Sequence, residues 1–380
     1  MKIRTFVIYL MLAILANAVS AQTPSRYSYT IVDYPGAFNT GVFGINTAGQ
    51  FSGTFFGSDG VARAFIYGDG KFTPLDYPKA NRTFGFGIND AGSIVGYYID
   101  PDNRTHGFLY AKQNFSTVDY PNAKTTRALG INGSGHIVGG YVDSATATHG
   151  FIFKDGKFTS IDYPGAARTE AYGINDAGWI VGYYADSNNA IHGFLDKAGT
   201  LTTVDFPGAL RTNPYGINKS GQISGSYIDR GRNHGYISSA ANSKLNIPGA
   251  LSTFGFALND SGTVVGQCVD LDSVDHGFIA TLDKVQAPQI SARLDPDWIL
   301  AGTNGFKLKV RGFGFTPGAV LHWNGSERVT TFDDDSNLTV TIPPADIAKP
   351  GSVLLTVINP GPNGGTSNVV AFPVRATPAP

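Results

Sequence analysis

The chain has 380 residues and a net charge of −1, so it carries no electrostatic footprint for nucleic acid or an anionic membrane surface. Charged residues make up only 15% and glycines number 48, a balance that excludes a disordered polyelectrolyte and fits an all-β chain with many tight turns. A single cysteine, Cys268, excludes an internal disulfide framework, so packing must hold the fold together.

The N-terminus reads as a signal peptide over residues 1–21. Lys2 and Arg4 form a positive start, Phe6 to Leu15 is an apolar run, and Val19-Ser20-Ala21 offers a cleavage site, with Ala16-Asn17-Ala18 as a second candidate. The apolar run is short for a membrane span, and no cysteine stands at the cleavage site to take a lipid. The expectation is a secreted, periplasmic or cell-surface protein with no membrane insertion after cleavage. An uncleaved N-terminal anchor is the alternative.

A repeat follows. Gly-Ile-Asn begins at Gly44, Gly87, Gly130, Gly173 and Gly216, each 43 residues from the last, and a degenerate copy, Ala257-Leu258-Asn259, comes 41 residues later. In the third copy Thr126–Ile131 reads as a strand and Asn132-Gly133-Ser134-Gly135 as a turn. His136–Asp143 and His149–Phe153 are the next two strands, and Phe158–Tyr163 is a fourth, ended by Pro164. Four short strands in 43 residues are the content of one propeller blade.

The first three strands occur in six complete sets. The fourth follows five of them, ending at Tyr77, Tyr120, Tyr163, Phe206 and Ile247. Its missing copy, Tyr29–Pro35, lies ahead of the first set. That offset predicts a six-bladed β-propeller whose N-terminal strand completes the last blade and hides sheet edges; a β-solenoid, the alternative, has no need of it.

The units Gly87-Ile88-Asn89, Ile94-Val95-Gly96 and His106-Gly107-Phe108, with their counterparts, resemble the bacterial extracellular HAF repeats. The third-strand motif reads His-Gly-Phe or His-Gly-Tyr in five copies and Arg63-Ala64-Phe65 in the first. The resemblance covers residues 27–284 and implies little about function. Over 285–376 the period stops and prolines appear. Strands are expected at Phe306–Val310, Val320–Trp323, Arg328–Phe332, Leu338–Ile342, Val353–Ile358 and Val369–Val374, as in a small immunoglobulin-like β-sandwich. Gly312-Phe313-Gly314-Phe315, Gly318–Gly325, Leu338–Pro343 and Val357–Pro360 resemble the IPT/TIG group, whose members in exported bacterial proteins serve as spacers or adhesion modules.

Among polar residues, His106, His149, His192, His234 and His276 each follow an aspartate by five or six residues (Asp100, Asp143, Asp186, Asp229, Asp270), whereas the first copy has Gly57 and Arg63 in these places. The co-variation reads as an Asp–His bond bracing a loop. The asparagines of the repeat read as turn formers and the Asp-Tyr-Pro-Gly-Ala segments as punctuation. Asp333-Asp334-Asp335 and Asp270-Leu271-Asp272 lack calcium-loop spacing, and neither phosphate-loop nor zinc motifs occur, so no metal, cofactor or catalytic residue is assigned.

Function is therefore expected where the copies differ. After a fixed threonine the next residue varies: Gly41, Phe84, Arg127, Glu170, Asn213 and Phe254. If the first strand lines the central channel these ring its mouth, and Phe84, Arg127, Glu170, Asn213 and Phe254 are the candidate binding residues for an extracellular glycan or protein ligand. The expected function is a non-enzymatic binding or adhesion protein. One alternative is a glycan-active propeller enzyme using Glu170 and a neighbouring carboxylate; another is a structural surface or matrix component.

Overall fold

The computed structural model describes residues 27–238, 243–282, 287–360 and 364–376. The proposed signal peptide lies outside them. The described chain is almost entirely β-structure, and it separates into two compact units, 1–282 and 283–380.

The first unit is propeller-like. It contains six four-stranded antiparallel sheets, five of them built from strands consecutive in the chain. In the first sheet these are Asn39–Ile45, Phe51–Phe56, Ala62–Gly68 and Lys71–Leu75. The sixth is discontinuous. Ser252–Leu258, Val264–Val269 and Asp275–Leu282 are joined on the outer edge by Tyr27–Val32, which pairs Tyr27 with Leu282 and Val32 with Gly277. The displaced N-terminal strand thus sits where the repeat offset predicts. Each sheet buries the aromatic residue of its third strand: Phe65, Phe108, Phe151, Phe194, Tyr236 and Phe278. Burying such a side chain stabilises the fold by about 1.5–3 kcal/mol. Glycine on the neighbouring strand makes room for it. A Cβ on Gly96 would lie 2.0 Å from the carbonyl oxygen of Phe84 and 2.8 Å from the Phe108 ring.

The repeat asparagines do more than open turns. Each Oδ1 accepts the backbone N–H four residues ahead, as from Gln50 to Asn46 and from His136 to Asn132. Each Nδ2 donates to the carbonyl of the next asparagine: Asn46 to Asn89 at 3.2 Å, Asn89 to Asn132 at 3.0 Å, Asn132 to Asn175 at 3.1 Å. Asn175 continues to Asn218 at 3.0 Å, Asn218 to Asn259 at 3.3 Å, and Asn259 returns to Asn46 at 3.2 Å. All six are buried. The glycine of Gly-Ile-Asn lets adjacent first strands approach: a Cβ on Gly44 would lie 2.6 Å from the Phe86 carbonyl and one on Gly130 2.4 Å from the Tyr172 carbonyl.

The Asp-Tyr-Pro segments also prove to be more than punctuation. The fourth strands stop short of the tyrosine, at Leu75, Thr117, Ile161 and Thr203, because the chain there crosses to the next sheet. The aspartate stays with the sheet being left: Asp119 lies 2.7 Å from Nδ1 of His106, Asp162 2.7 Å from His149 and Asp205 2.7 Å from His192. The tyrosine serves the sheet being entered. Tyr77 stacks on Tyr98 at 3.6 Å, Tyr120 on Tyr141 at 3.6 Å and Tyr163 on Tyr184 at 3.7 Å. The fixed threonine holds the turn by accepting the tyrosine N–H, as Thr83 does from Tyr77 at 3.0 Å. Across the chain ends the same device appears, with Asp33 on His276 and Tyr34 stacked on Phe55.

Four of the five Asp–His pairs read from the sequence are present but secondary, and in the fifth sheet His234 contacts Asn246 at 3.2 Å in place of Asp229. His106 Nε2 is 3.3 Å from Asp100, and His276 Nε2 is 3.2 Å from Asp270, each longer than the Nδ1 contact to the second aspartate. Asp186 is 4.0 Å from His192. In the first sheet Arg63 instead pairs with Asp59 at 2.6 Å.

The second unit is a β-sandwich. One sheet orders Gln289–Asp295, Phe306–Phe313, Asn337–Ile342 and Thr330–Asp334; the other orders Ile299–Leu300, Val370–Arg375, Gly351–Ile358, Val320–Trp323 and Ser326–Arg328. The strand expected at Arg328–Phe332 divides in two, with Arg328 held to Asp346 by a bidentate ion pair. Leu308, Leu321, Val340, Leu355 and Phe372 are fully buried between the sheets.

Two outcomes follow for the first unit. Asn132→Ala removes a donor to the Asn175 carbonyl and the acceptor for two turn N–H groups. It should cost about 1–3 kcal/mol in a urea titration, against under about 0.5 kcal/mol for a surface change. The second concerns pH. Burial lowers the His106 pKa, but Asp119 and then Asp100 outweigh it and hold the imidazole above its ordinary value; at His276 Asp33 dominates, against burial, with help from Asp270. Asp100 and Asp270 are held below the usual carboxylate value, chiefly by the backbone N–H groups of Arg104 and Val274 and then by their histidines. A raised histidine contributes stability below its unfolded pKa of about 6.5 and loses it as pH rises through the folded value. A lowered aspartate contributes above about 3.9 and loses it as pH falls. The urea midpoint should therefore fall between pH 6 and 8, and His106→Gln with His276→Gln should flatten that fall.

Candidate functional site

Beyond the asparagine ring, towards the variable positions, each first strand carries a β-bulge just before its Gly-Ile-Asn or Ala-Leu-Asn motif. The register skips between Val42 and Gly44, Ala128 and Gly130, Ala171 and Gly173, Pro214 and Gly216, and Gly255 and Ala257. In the second sheet it skips between Gly85 and Ile88. A bulge re-aims its residue, and here Phe43, Phe86, Tyr172, Tyr215 and Phe256 come together. Ring centroids lie 4.8 Å apart for Phe43 and Phe86, 4.7 Å for Phe43 and Phe256, 4.8 Å for Tyr215 and Phe256, and 5.1 Å for Tyr172 and Tyr215. Leu129 takes the sixth place. This ring has a plain signal in the sequence, beside the variable positions singled out above: an aromatic precedes the motif in five of six copies.

The variable residues sit around this aromatic floor and divide into two halves. In one half, Arg127 of the third sheet pairs with Glu170 of the fourth. Glu170 is 1% exposed, and its second oxygen accepts hydrogen bonds from Tyr183 at 2.7 Å and Tyr172 at 3.3 Å. Space for the carboxylate comes from Gly140, where a Cβ would lie 2.6 Å from Glu170 Oε1. Burial lowers the Arg127 pKa, but Glu170 and the tyrosines around it raise it above its ordinary value; burial and then Glu170 push Tyr172 and Tyr183 up as well. Asn213, the next variable residue in the chain, is buried, and its Oδ1 accepts from Arg211 Nε at 3.3 Å. The hydrogen-bond partners of Glu170 among the described residues are Arg127, Tyr172 and Tyr183, with no second carboxylate, and among the described residues no group of three or more His, Cys, Asp or Glu is arranged to hold a metal ion.

The other half is apolar and open. Phe254 stacks along Phe256 at 6.0 Å and Phe84 along Tyr97 at 4.6 Å. Gly41, the sixth variable residue, stands between them and has no side chain. There a pocket of about 210 Å³ opens, lined by Gly41, Phe43, Phe56, Phe84, Phe86 and Tyr97 with polar groups from Asn39, Thr54, Gln267 and Asp275. The structure thus places Phe84 on the pocket wall, Arg127 and Glu170 in an ion pair, Asn213 in the interior and Phe254 on the aromatic floor. A separate space of about 80 Å³ lies at the asparagine ring.

The family model for the IPT/TIG domain matches residues 288–374. No curated protein matches the chain. Among solved structures, the chain is similar to the β-propeller domain of the Trilobed protease from Pyrococcus furiosus, at 13% identity over 64% of this chain and 94% of that one, TM-score 0.43. It is also similar to a fungal lectin from Aleuria aurantia with a six-bladed β-propeller fold and fucose recognition, at 14% identity over 67% and 93%, TM-score 0.41. A third is a fungal alcohol oxidase of the AA5 family in complex with copper, at 12% identity over 89% and 85%, TM-score 0.40. At these scores the likenesses carry no argument about ligand or chemistry.

The ion pair can be tested apart from any ligand. Arg127→Met leaves Glu170 buried without its cation and should destabilise the chain by about 3 kcal/mol, near the lower end for a broken buried pair because Arg127 is partly solvated. Arg127→Met with Glu170→Met should recover most of that loss in the same denaturant titration; additive losses would mean that the two side chains are not coupled.

Proposed function

We propose that the repeats form a closed six-bladed propeller of the HAF type and that the protein is an exported bacterial binding protein without enzymatic activity. It presents the mouth of the channel to an extracellular glycan or protein ligand, with the C-terminal IPT/TIG-like sandwich as a spacer or second contact. The N-terminal strand in the sixth sheet and the six-membered asparagine ring support closure. Export rests on the charge and apolar pattern of residues 1–21.

The observation that carries the binding reading is the division of the mouth. Its one glutamate, Glu170, is buried and spoken for by Arg127, Tyr172 and Tyr183, while the open space beside Gly41 is walled by aromatic rings. Glycoside hydrolysis asks for two free carboxylates on either side of a substrate, roughly 5–10 Å apart. Recognition asks for a concave apolar wall with a few polar groups, which the pocket offers.

The test is a screen of extracellular glycans and peptides against the full chain. Phe84→Ala, which removes a pocket wall, should weaken any ligand found by tenfold or more. Glu170→Gln should leave binding within about twofold, provided that the variant remains folded. Hydrolysis of a glycan that Glu170→Gln abolishes would favour the enzyme instead, and self-association with no ligand would favour a matrix component.

A further inference from the structure

We infer that the pocket beside Gly41 is a site for an organic ammonium group; the inference rests on the reading of the channel mouth as the ligand site. Asp275 is the residue that carries the assignment. Its backbone N–H donates to Asn39 Oδ1 at 3.0 Å, which anchors the residue at the junction of the sixth and first sheets. Its half-buried carboxylate has no hydrogen-bond donor and no cation within 4.0 Å among the described residues. The scaffold does not require an acid there. The equivalent positions, each just before the third-strand histidine or arginine, hold Ala62, Thr105, Thr148, Ile191 and Asn233.

Gln267 repeats the pattern. At its position Thr54 bonds to the backbone of Gly85, and Tyr183 bonds to Glu170. The carboxamide of Gln267 makes no hydrogen bond among the described residues. Gly41 opposite leaves the space clear, since a Cβ there would lie 3.0 Å from Gln267 Oε1 and 2.6 Å from the Phe43 ring. Two unengaged polar groups therefore belong to the sixth sheet, and both line a space whose aromatic wall is Phe43, Phe56, Phe84, Phe86 and Tyr97.

This chemistry selects among ligands. Glu170 has its arginine, whereas Asp275, on the pocket lining, has no cation partner among the described residues. A group that completes Asp275 is a cation, and a cation with an apolar surface is attracted to aromatic faces as well. A sugar ring would need several hydrogen-bonding partners, yet beyond Asp275 and Gln267 the Thr54 hydroxyl and Asn39 Oδ1 are already engaged, with Gly85 and the Asp275 N–H. An anionic ligand would be repelled. A space of about 210 Å³ accommodates a trimethylammonium group or the end of a lysine side chain.

The experiment is isothermal titration of the full chain with choline and with 3,3-dimethyl-1-butanol, its uncharged carbon isostere. Nα-acetyl-lysine methylamide and Nα-acetyl-norleucine methylamide form a parallel pair that separates a small-molecule source from a peptide one. At least one ammonium probe should bind tenfold or more tightly than its neutral partner. Asp275→Asn should erase that preference, and Phe84→Ala should weaken the ammonium probe, with the thermal transition of each variant confirming the fold. Equal binding of the neutral isosteres, or a preference that survives Asp275→Asn, would overturn the ammonium assignment. Silence of all four probes, while Phe84→Ala still weakens a screened glycan or peptide, would overturn it too and leave the mouth as the site. If in addition Phe84→Ala left every screened ligand unaffected, both readings would fall.

Discussion

The hydrogen-bonded circuit of asparagines is the constraint from which the rest of the first unit follows. Each side chain satisfies a turn N–H of its own repeat and a carbonyl of the next, and the sixth returns to the first. Such a circuit tolerates neither a missing nor an extra repeat without leaving buried polar groups unpaired, and those are costly. It also requires adjacent first strands to approach closely, which explains the glycine beside each of the first five asparagines. The sixth repeat has Ala257 instead, at the same junction of sixth and first sheets where the pocket opens.

What the asparagines do at the inner end, the Asp-Tyr pairs do farther along each sheet. One residue faces back to a histidine and its neighbour forward to a ring, so each connection ties two sheets at once. The sixth sheet departs from the pattern in a matched way. Ile247 and Cys268 replace the two stacked rings together, and both pack in the same apolar cluster. Cys268 is thereby explained as a packing residue, and burial pushes its thiol up to about 11.

Much of this was legible in the sequence because repetition turns physical requirements into fixed residues. The strand count, the displaced first strand and the separate β-sandwich all come from period and punctuation. The bulge was harder to read, since it shifts the inward-facing register inside a strand and makes the residue after Val42 or Ala171, not the variable one, the floor of the mouth. The second aspartate on four of the five histidines comes from thirteen residues away along the chain, or from the other end of the unit, and only pairing geometry reveals it. The site was legible only in outline. Position 41 looked like an empty place among candidates, yet the lack of a side chain there opens the pocket. Glu170 looked like the residue to watch, yet Gly140, a gap in another strand, lets it turn away into an ion pair.

Closure of the ring is the claim on which the channel, its mouth and its pocket all depend. It is tested most directly by trapping the pairing of Ser28 with Thr281, which stand opposite each other in the sixth sheet. Opposed residues of an antiparallel pair have Cα atoms about 4.5–5.5 Å apart, within the range of a disulfide. With both residues changed to cysteine, the account predicts rapid intramolecular disulfide formation in the folded chain under mild oxidation and none in urea. Thiols that stay reduced in the folded monomer, as the distant ends of an open solenoid would, contradict it.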